Sequence, residues 1–106
     1  MREKSYLRIV SEDSRIRARF KTEKGEVKEF MIQMEVRYEG KWVPVVRFDT
    51  AHGYAHKDTF YRGVRQKKEE LVFGTFNESF TFAQLDLSRN WKNYKKAFLK
   101  ERGDNG

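Results

Sequence analysis

The sequence predicts an α+β fold: an antiparallel meander sheet of four to five strands, with one long C-terminal helix packed on one face. Apolar and polar residues alternate with a period of two in the first part of the chain, which is typical of half-buried strands. From residue 76 onward the apolar residues recur at helical spacing. We assign residues 1–106 to a single domain, with the sheet at about 14–73 and the helix at about 76–102.

Three strands follow from the alternation in the first half. Residues 5–10 can form a short strand or an ordered arm. The next strand begins at Ser14, and its polar side carries three arginines, Arg15, Arg17 and Arg19. A turn containing Gly25 leads to a strand at about 27–38, and a third strand follows at about 41–49.

The turn between the last two strands allows two registers. A two-residue turn pairs Tyr38 with Lys41 and places Arg47 on the core face. A turn that is one residue longer, with a bulge at Gly40, pairs Tyr38 with Trp42. We favour the longer turn because it buries no charge.

The favoured register has two consequences in the third strand. It places Ile32 opposite Phe48, so that two apolar side chains face the core together. Pro44 has no N–H to donate, so it indicates an edge strand or a bulge.

The back of the chain completes the fold. A fourth strand is predicted at about 54–61, a turn at 62–63 and a fifth strand at about 68–73. Thr75 and Glu78 have capping-box spacing, so the helix is expected to begin near residue 76. Its apolar stripe comprises Phe80, Ala83, Leu87, Trp91, Tyr94 and Phe98. A break is expected near 86–88 and a stop at Gly103.

Composition limits the classes of function. The 23 basic and 16 acidic residues give a net charge of +7 and favour a polyanionic partner such as RNA. The chain has no cysteine, which excludes disulfides, thiol nucleophiles and Cys-ligated metals. No apolar run reaches the roughly 20 residues of a membrane span, and no secretory signal is visible, so we expect a cytoplasmic protein with no membrane partner. A charged-residue content of 37% is typical of thermophile proteins, so we expect a thermophile source.

Both histidines lie in the stretch 49–58, DTAHGYAHKD. Three interpretations remain open. His52 and His56, with Asp49 or Asp58, can form a two-histidine, one-carboxylate metal site. The two imidazoles can act as acid and base. Alternatively, the stretch is only a polar turn, in which Asp49 accepts backbone N–H bonds and Gly53 frees the backbone.

We predict acid–base catalysis without a metal or a cofactor. In cleavage of RNA, one of His52 and His56 deprotonates the ribose 2′-hydroxyl and the other protonates the leaving oxygen. Arg47 stabilises charge on the phosphate, and Asp49 orients a histidine.

Nucleic-acid binding is assigned to a second set of residues: Arg15, Arg17, Arg19, Tyr54 and Lys57. The competing interpretation is cross-strand ion pairing with Glu29 and Glu35. In the simplest register Arg19 faces Glu29, which leaves Arg15 and Arg17 freer. A further group of cations lies late in the helix, where it suits the helix dipole: Arg89, Lys92, Lys95, Lys96, Lys100 and Arg102.

Two stretches carry a family resemblance. VPVVRFDTAHGYAHKD and FGTFNESFTFAQLDLSRNWKNYKKAFL are similar to a small archaeal and bacterial domain family of unknown function with an Arg-aromatic-Asp-x-Ala-His-Gly-x-x-His segment. The likeness covers about residues 27–100. A weaker likeness, through Arg47, Phe48, Asp49 and His56, is to TumE-type toxins of toxin–antitoxin systems, and it implies RNA cleavage.

The leading hypothesis is therefore a toxin-like, metal-independent ribonuclease. Its alternatives are a non-catalytic module that binds nucleic acid or protein, in an antitoxin-like or regulatory role, and a His/Asp metal-binding domain. The expected partners are RNA and a cognate protein. An exposed edge strand also makes a homo-oligomer possible.

Overall fold

The computed structural model describes residues 1–61, 66–71 and 74–101 and has an α+β architecture, as predicted. It contains six strands and one helix: β1 Arg2–Ser11, β2 Ser14–Glu23, β3 Glu26–Tyr38, β4 Lys41–Asp49, β5 His56–Phe60, β6 Gln66–Glu70 and α1 Phe76–Glu101. Neighbouring strands pair antiparallel in the order β1 to β6, so the sheet is a meander. It has more strands than predicted because residues 2–11 form a full edge strand.

Three predicted features lie outside the described residues. These are the turn at 62–63, the end of the fifth strand at 72–73 and the helix stop at Gly103. Within the described part, the last strand spans Gln66–Glu70.

The two tight turns share the same backbone conformation, and this conformation sets the register of β3 and β4. At residues 24–25 and 39–40, the first residue has a φ of 52° or 51° and the glycine a φ of 80°. Two successive positive φ angles define the two-residue turn that matches the twist of a sheet. Tyr38 therefore pairs with Lys41, and the predicted pairing of Tyr38 with Trp42 is wrong.

A bulge corrects the register further along the same strand pair. β4 carries one extra residue at Val45, beside Pro44, so the bulge expected at the proline is confirmed. Beyond the bulge Ile32 pairs with Phe48, as predicted, and both side chains are fully buried. Arg47 consequently lies off the core face.

The register of β2 and β3 differs from the prediction by two residues. Arg15 lies opposite Glu35, whereas Glu29 lies opposite Lys21 and not opposite Arg19. The difference arises because the turn has only two residues and a bulge follows it in β3. Arg19, which was expected to face Glu29, therefore lies opposite Met31.

The helix covers one face of the sheet. The backbone N–H of Glu78 donates to Thr75 Oγ1 at 3.1 Å, which confirms the predicted cap. The helix continues through residues 86–88, so the expected break is wrong. Its stripe is buried against β3 and β4, with Ala83 and Leu87 fully buried. No helix among the described residues is long and apolar enough to cross a membrane.

Candidate functional site on the open face of the sheet

The second face of the sheet, which we call the open face, collects most of the predicted site residues. Asp49 pairs with His56, and Arg47 pairs with Asp58, so these four side chains point to one side. Gln33, opposite Arg47, continues this row toward the arginines of β2.

Lys57 is the exception. It alternates with His56 along β5 and points to the helix, where its Nζ lies 2.9 Å from the hydroxyl of Tyr94. Lys57 and Tyr54 therefore do not share a surface, and the assignment of Lys57 to nucleic-acid binding stays a prediction.

The segment between β4 and β5 is a hydrogen-bonded loop, as its composition predicts. Asp49 Oδ1 accepts the N–H of Ala51 at 3.0 Å, and the N–H of Gly53 donates to the carbonyl oxygen of Thr50 at 3.0 Å. Gly53 has a φ of 84°, a conformation that favours glycine. The polar-turn interpretation is thus confirmed as a description of the backbone.

The same loop folds two exposed rings over His56. The ring of His52 is stacked on that of His56 with centroids 5.6 Å apart, and the ring of Tyr54 lies 5.5 Å from it. His56 is consequently only 2% exposed, whereas His52 faces solvent. The two predicted catalytic histidines are close together but differ in their access to a substrate.

Under this cover lies a compact group that we call the His56 cluster, made of Asp49, His56 and Asp58. Nε2 of His56 is 3.0 Å from Asp49 Oδ1 and 3.4 Å from Asp58 Oδ2. All three residues are buried. Asp49 therefore lies against His56, and Asp58 adds a second carboxylate. The orienting role of Asp49 stays a prediction.

Among the described residues, the charges of the His56 cluster are poorly compensated. Two carboxylates face one imidazole, and Lys68 Nζ lies 3.8 Å from Asp58 Oδ1. His56 Nδ1 and Asp58 Oδ1 have no hydrogen-bond partner among the described residues. Buried polar atoms without partners are rare in folded proteins, because each one costs free energy.

A second buried group, the Glu35 cluster, consists of Glu35, Arg15, Arg17 and Gln33. Glu35 receives Arg15 Nε at 2.6 Å, Arg17 Nε at 3.1 Å and the amide of Gln33. Arg15 also lies over the ring of Trp42, at 4.1 Å. The expectation that Arg15 and Arg17 are the freer arginines is therefore wrong.

A groove of about 660 Å³ opens beside the two clusters, and we call it the open-face groove. Its walls include four cations, Arg17, Arg19, Lys21 and Arg47, and three carboxylates, Glu3, Glu29 and Asp49. Lys21 pairs with Glu29 at 2.9 Å. Arg47 Nε donates to the neutral Gln33 at 2.6 Å, and Arg19 has no carboxylate within ion-pair distance among the described residues.

Comparison with known proteins gives one finding. The model of a family described as a domain of unknown function, DUF7718, matches residues 1–104. The chain belongs to this family. No curated protein and no solved structure matches it. Membership of a domain family of unknown function is as predicted, and the match covers more of the chain than the expected residues 27–100. The Arg-aromatic-Asp-x-Ala-His-Gly-x-x-His segment as a mark of the family stays a prediction.

Sequence reasoning gave Asp58 of the DUF7718 domain only an alternative role as a metal ligand. The alternation of β5 held the signal, since residues 56 and 58 must share a face of the sheet. Gln33 was missed altogether. It links Arg47 to Glu35, and only the register reveals this link.

Proposed function

We propose that this DUF7718 domain binds single-stranded RNA across the open face of its sheet. The supporting observation is the open-face groove, where Arg19 and Arg47 present guanidinium groups that no carboxylate pairs with among the described residues. Arginine on an open surface is a common ligand of backbone phosphates. The other cations of the groove already have carboxylate partners, so they contribute less free charge.

The exposed rings supply the second element of such a surface. His52 and Tyr54 project from the loop that follows Asp49, which itself lines the groove. Tyr54 is 40% exposed. Bases of single-stranded RNA stack on exposed aromatic rings, and each stack contributes roughly 1–3 kcal/mol. Phosphates at Arg19 and Arg47 and bases at the loop would together hold an unpaired strand.

The number of free guanidiniums predicts a shallow dependence on salt. For single-stranded nucleic acid, log K falls with log salt by about 0.7 for each phosphate contact. Two contacts, at Arg19 and Arg47, give a slope near −1.4. A strongly basic surface with many free cations would give a much steeper slope.

Fluorescence anisotropy with a labelled short single-stranded RNA tests the proposal. Arg19→Ala is expected to lower affinity and to reduce the slope to about −0.7. Arg89→Ala is the matched control, because Arg89 is exposed on the helix, away from the open face. If Arg89→Ala weakens binding and Arg19→Ala does not, the helix is the binding surface and the proposal fails.

RNA cleavage is a second candidate function, favoured by the 5.6 Å separation of the two imidazole rings. The exposed His52 would take the proton of a ribose 2′-hydroxyl at the loop. Because His56 is buried under His52 and Tyr54, it fits better as a support for His52 than as the group that protonates the leaving oxygen. Its assignment as acid or base stays a prediction.

Gel analysis of RNA incubated with the protein separates the two candidates. Cleavage predicts products that His52→Ala abolishes while RNA affinity is kept within a few-fold. Binding of RNA without any products supports the non-catalytic module. The likeness to TumE-type toxins, a thermophile source, a cognate partner protein, a homo-oligomer and a cytoplasmic location also stay predictions.

A further inference from the structure

We propose that Asp49, His56 and Asp58 bind one divalent transition-metal ion. This inference departs from the expectation of no metal and no cofactor, and it does not rest on RNA binding. Each of the three residues offers one ligand atom, and these atoms lie within 4.8 Å of one another. His52 is not part of the group, so the ligand set has one histidine and two carboxylates.

The separations of His56 Nε2 from the two carboxylates suit coordination by a single ion. Zn²⁺ and related ions lie about 2.1 Å from histidine nitrogen and carboxylate oxygen. Two ligand atoms at that distance are about 3.0 Å apart at a right angle and about 3.4 Å apart at the tetrahedral angle. The separations from His56 Nε2 are 3.0 Å to Asp49 Oδ1 and 3.4 Å to Asp58 Oδ2.

Charge and hydrogen bonding supply an independent argument. With a neutral imidazole, two buried carboxylates lie together, and Lys68, 3.8 Å from Asp58, is the one cation within ion-pair distance of them among the described residues. With an imidazolium, the charge on the ring offsets only one of the two carboxylates beside Nε2. A dication with a neutral imidazole balances the charge of both carboxylates. It also supplies a partner for Asp58 Oδ1, which has no hydrogen bond among the described residues.

The donor set indicates the class of ion. Ca²⁺ prefers six to eight oxygen ligands, whereas one nitrogen and two carboxylates suit Zn²⁺, Mn²⁺, Fe²⁺ or Co²⁺. Three protein ligands leave coordination positions for water or a substrate oxygen. Because Asp49 also lines the open-face groove, these positions lie near the groove.

Calorimetric titration with Mn²⁺ and with Zn²⁺ tests the site, using full-length protein purified without a histidine tag and stripped with a chelator. We expect one ion per chain. Asp58→Asn should weaken binding at least tenfold. Thermal melting gives a second readout, since an ion at about 100 times its Kd should raise Tm by roughly 10 °C.

Glu35→Gln is the matched control, because it neutralises another buried carboxylate on the same face. It should bind the ion like the unaltered chain. No binding, or equal binding by Asp58→Asn, overturns the proposal. Equal losses of metal affinity in Asp58→Asn and Glu35→Gln overturn it too, unless Mn²⁺ bound to the unaltered chain selectively broadens the NMR signals of residues 49, 56 and 58. RNA affinity, measured separately without the ion, distinguishes failure here from failure of the proposed function.

Discussion

The Glu35 cluster and the His56 cluster lie on the same face of the same sheet, yet they differ in how their charges are balanced. In the first, one buried carboxylate receives two guanidiniums and an amide. In the second, two buried carboxylates share one imidazole, and two polar atoms have no partner among the described residues.

This difference distinguishes a charge network that folding alone accounts for from a candidate functional site. A buried charge with its full set of partners needs nothing further, so the Glu35 cluster is explained by folding alone. A buried group with missing partners costs free energy, and such costs are concentrated at functional sites. The His56 cluster is therefore the better candidate for chemistry, although its residues are no more polar.

The largest expected effect is the loss of Glu35. Breaking a fully buried ion pair costs about 3–5 kcal/mol. Arg15 and Arg17 retain 22% and 49% side-chain exposure, so we expect Glu35→Ala to lower the free energy of unfolding by only about 2 kcal/mol. Urea denaturation measures it. A change below about 0.5 kcal/mol would show that this cluster contributes little.

Asp58→Asn should act in the opposite direction in metal-free protein. It removes one of two buried negative charges while keeping the shape of the side chain. We expect the free energy of unfolding to stay constant or to rise by up to about 1 kcal/mol. A loss as large as that of Glu35→Ala, in the same urea titration, would contradict the difference between the clusters.

A pH series tests a third group, the hydrogen-bonded network of Lys57, Tyr94 and Asp86 on the face of the sheet that the helix covers. Tyr94 donates to the Asp86 carboxylate and accepts from Lys57. Burial, aided by Asp86, raises the pKa of Tyr94. The network therefore contributes its full stability below the unfolded pKa, near 10, and loses it as pH rises further. Because Tyr94 is only partly buried, we expect a loss below about 1 kcal/mol at pH 11 relative to Tyr94→Phe.

At neutral pH the unfolding free energies of the unaltered chain and Tyr94→Phe should differ only by a constant amount that does not depend on pH. Equal slopes of unfolding free energy against pH for the two proteins above pH 10 would contradict a raised pKa for Tyr94.

His52→Ala should have the smallest effect on stability, because the side chain is exposed and contributes mainly ring stacking. Its effect is expected on access to His56. The chain has two histidines, so mass spectrometry can assign modification by diethyl pyrocarbonate to each. The unaltered chain should react at His52 only, and the variant at His56. Fast reaction of His56 in the unaltered chain would show that the loop does not shield it.

The sequence predicts the fold class well, because alternation and helical spacing are local patterns. It fails on register at both tight hairpins, where the φ angles of Lys24 and Glu39 allow a two-residue turn and bulges then restore the pairing of apolar residues. The error changed the interpretation of the arginines, because it exchanged Arg19, which has no carboxylate partner among the described residues, with the paired Arg15 and Arg17.

The site was predicted in part. Arg47, Asp49 and His56 are drawn together by the pairing of β4 and β5, which follows from their alternation. The burial of His56 was not predictable, because it depends on the loop folding His52 and Tyr54 back over the sheet. In a fully extended strand both residues would share the face of His56, but their rings would stand beside its ring and not over it.

The most direct test of the open face as the functional surface is an NMR titration of the labelled protein with a short single-stranded RNA. We expect the largest changes in amide chemical shift at Arg19, Arg47 and the loop of residues 50–55, with little change along the exposed side of the helix. Shifts confined to the helix, around Arg89, Lys92 and Lys96, would contradict this account.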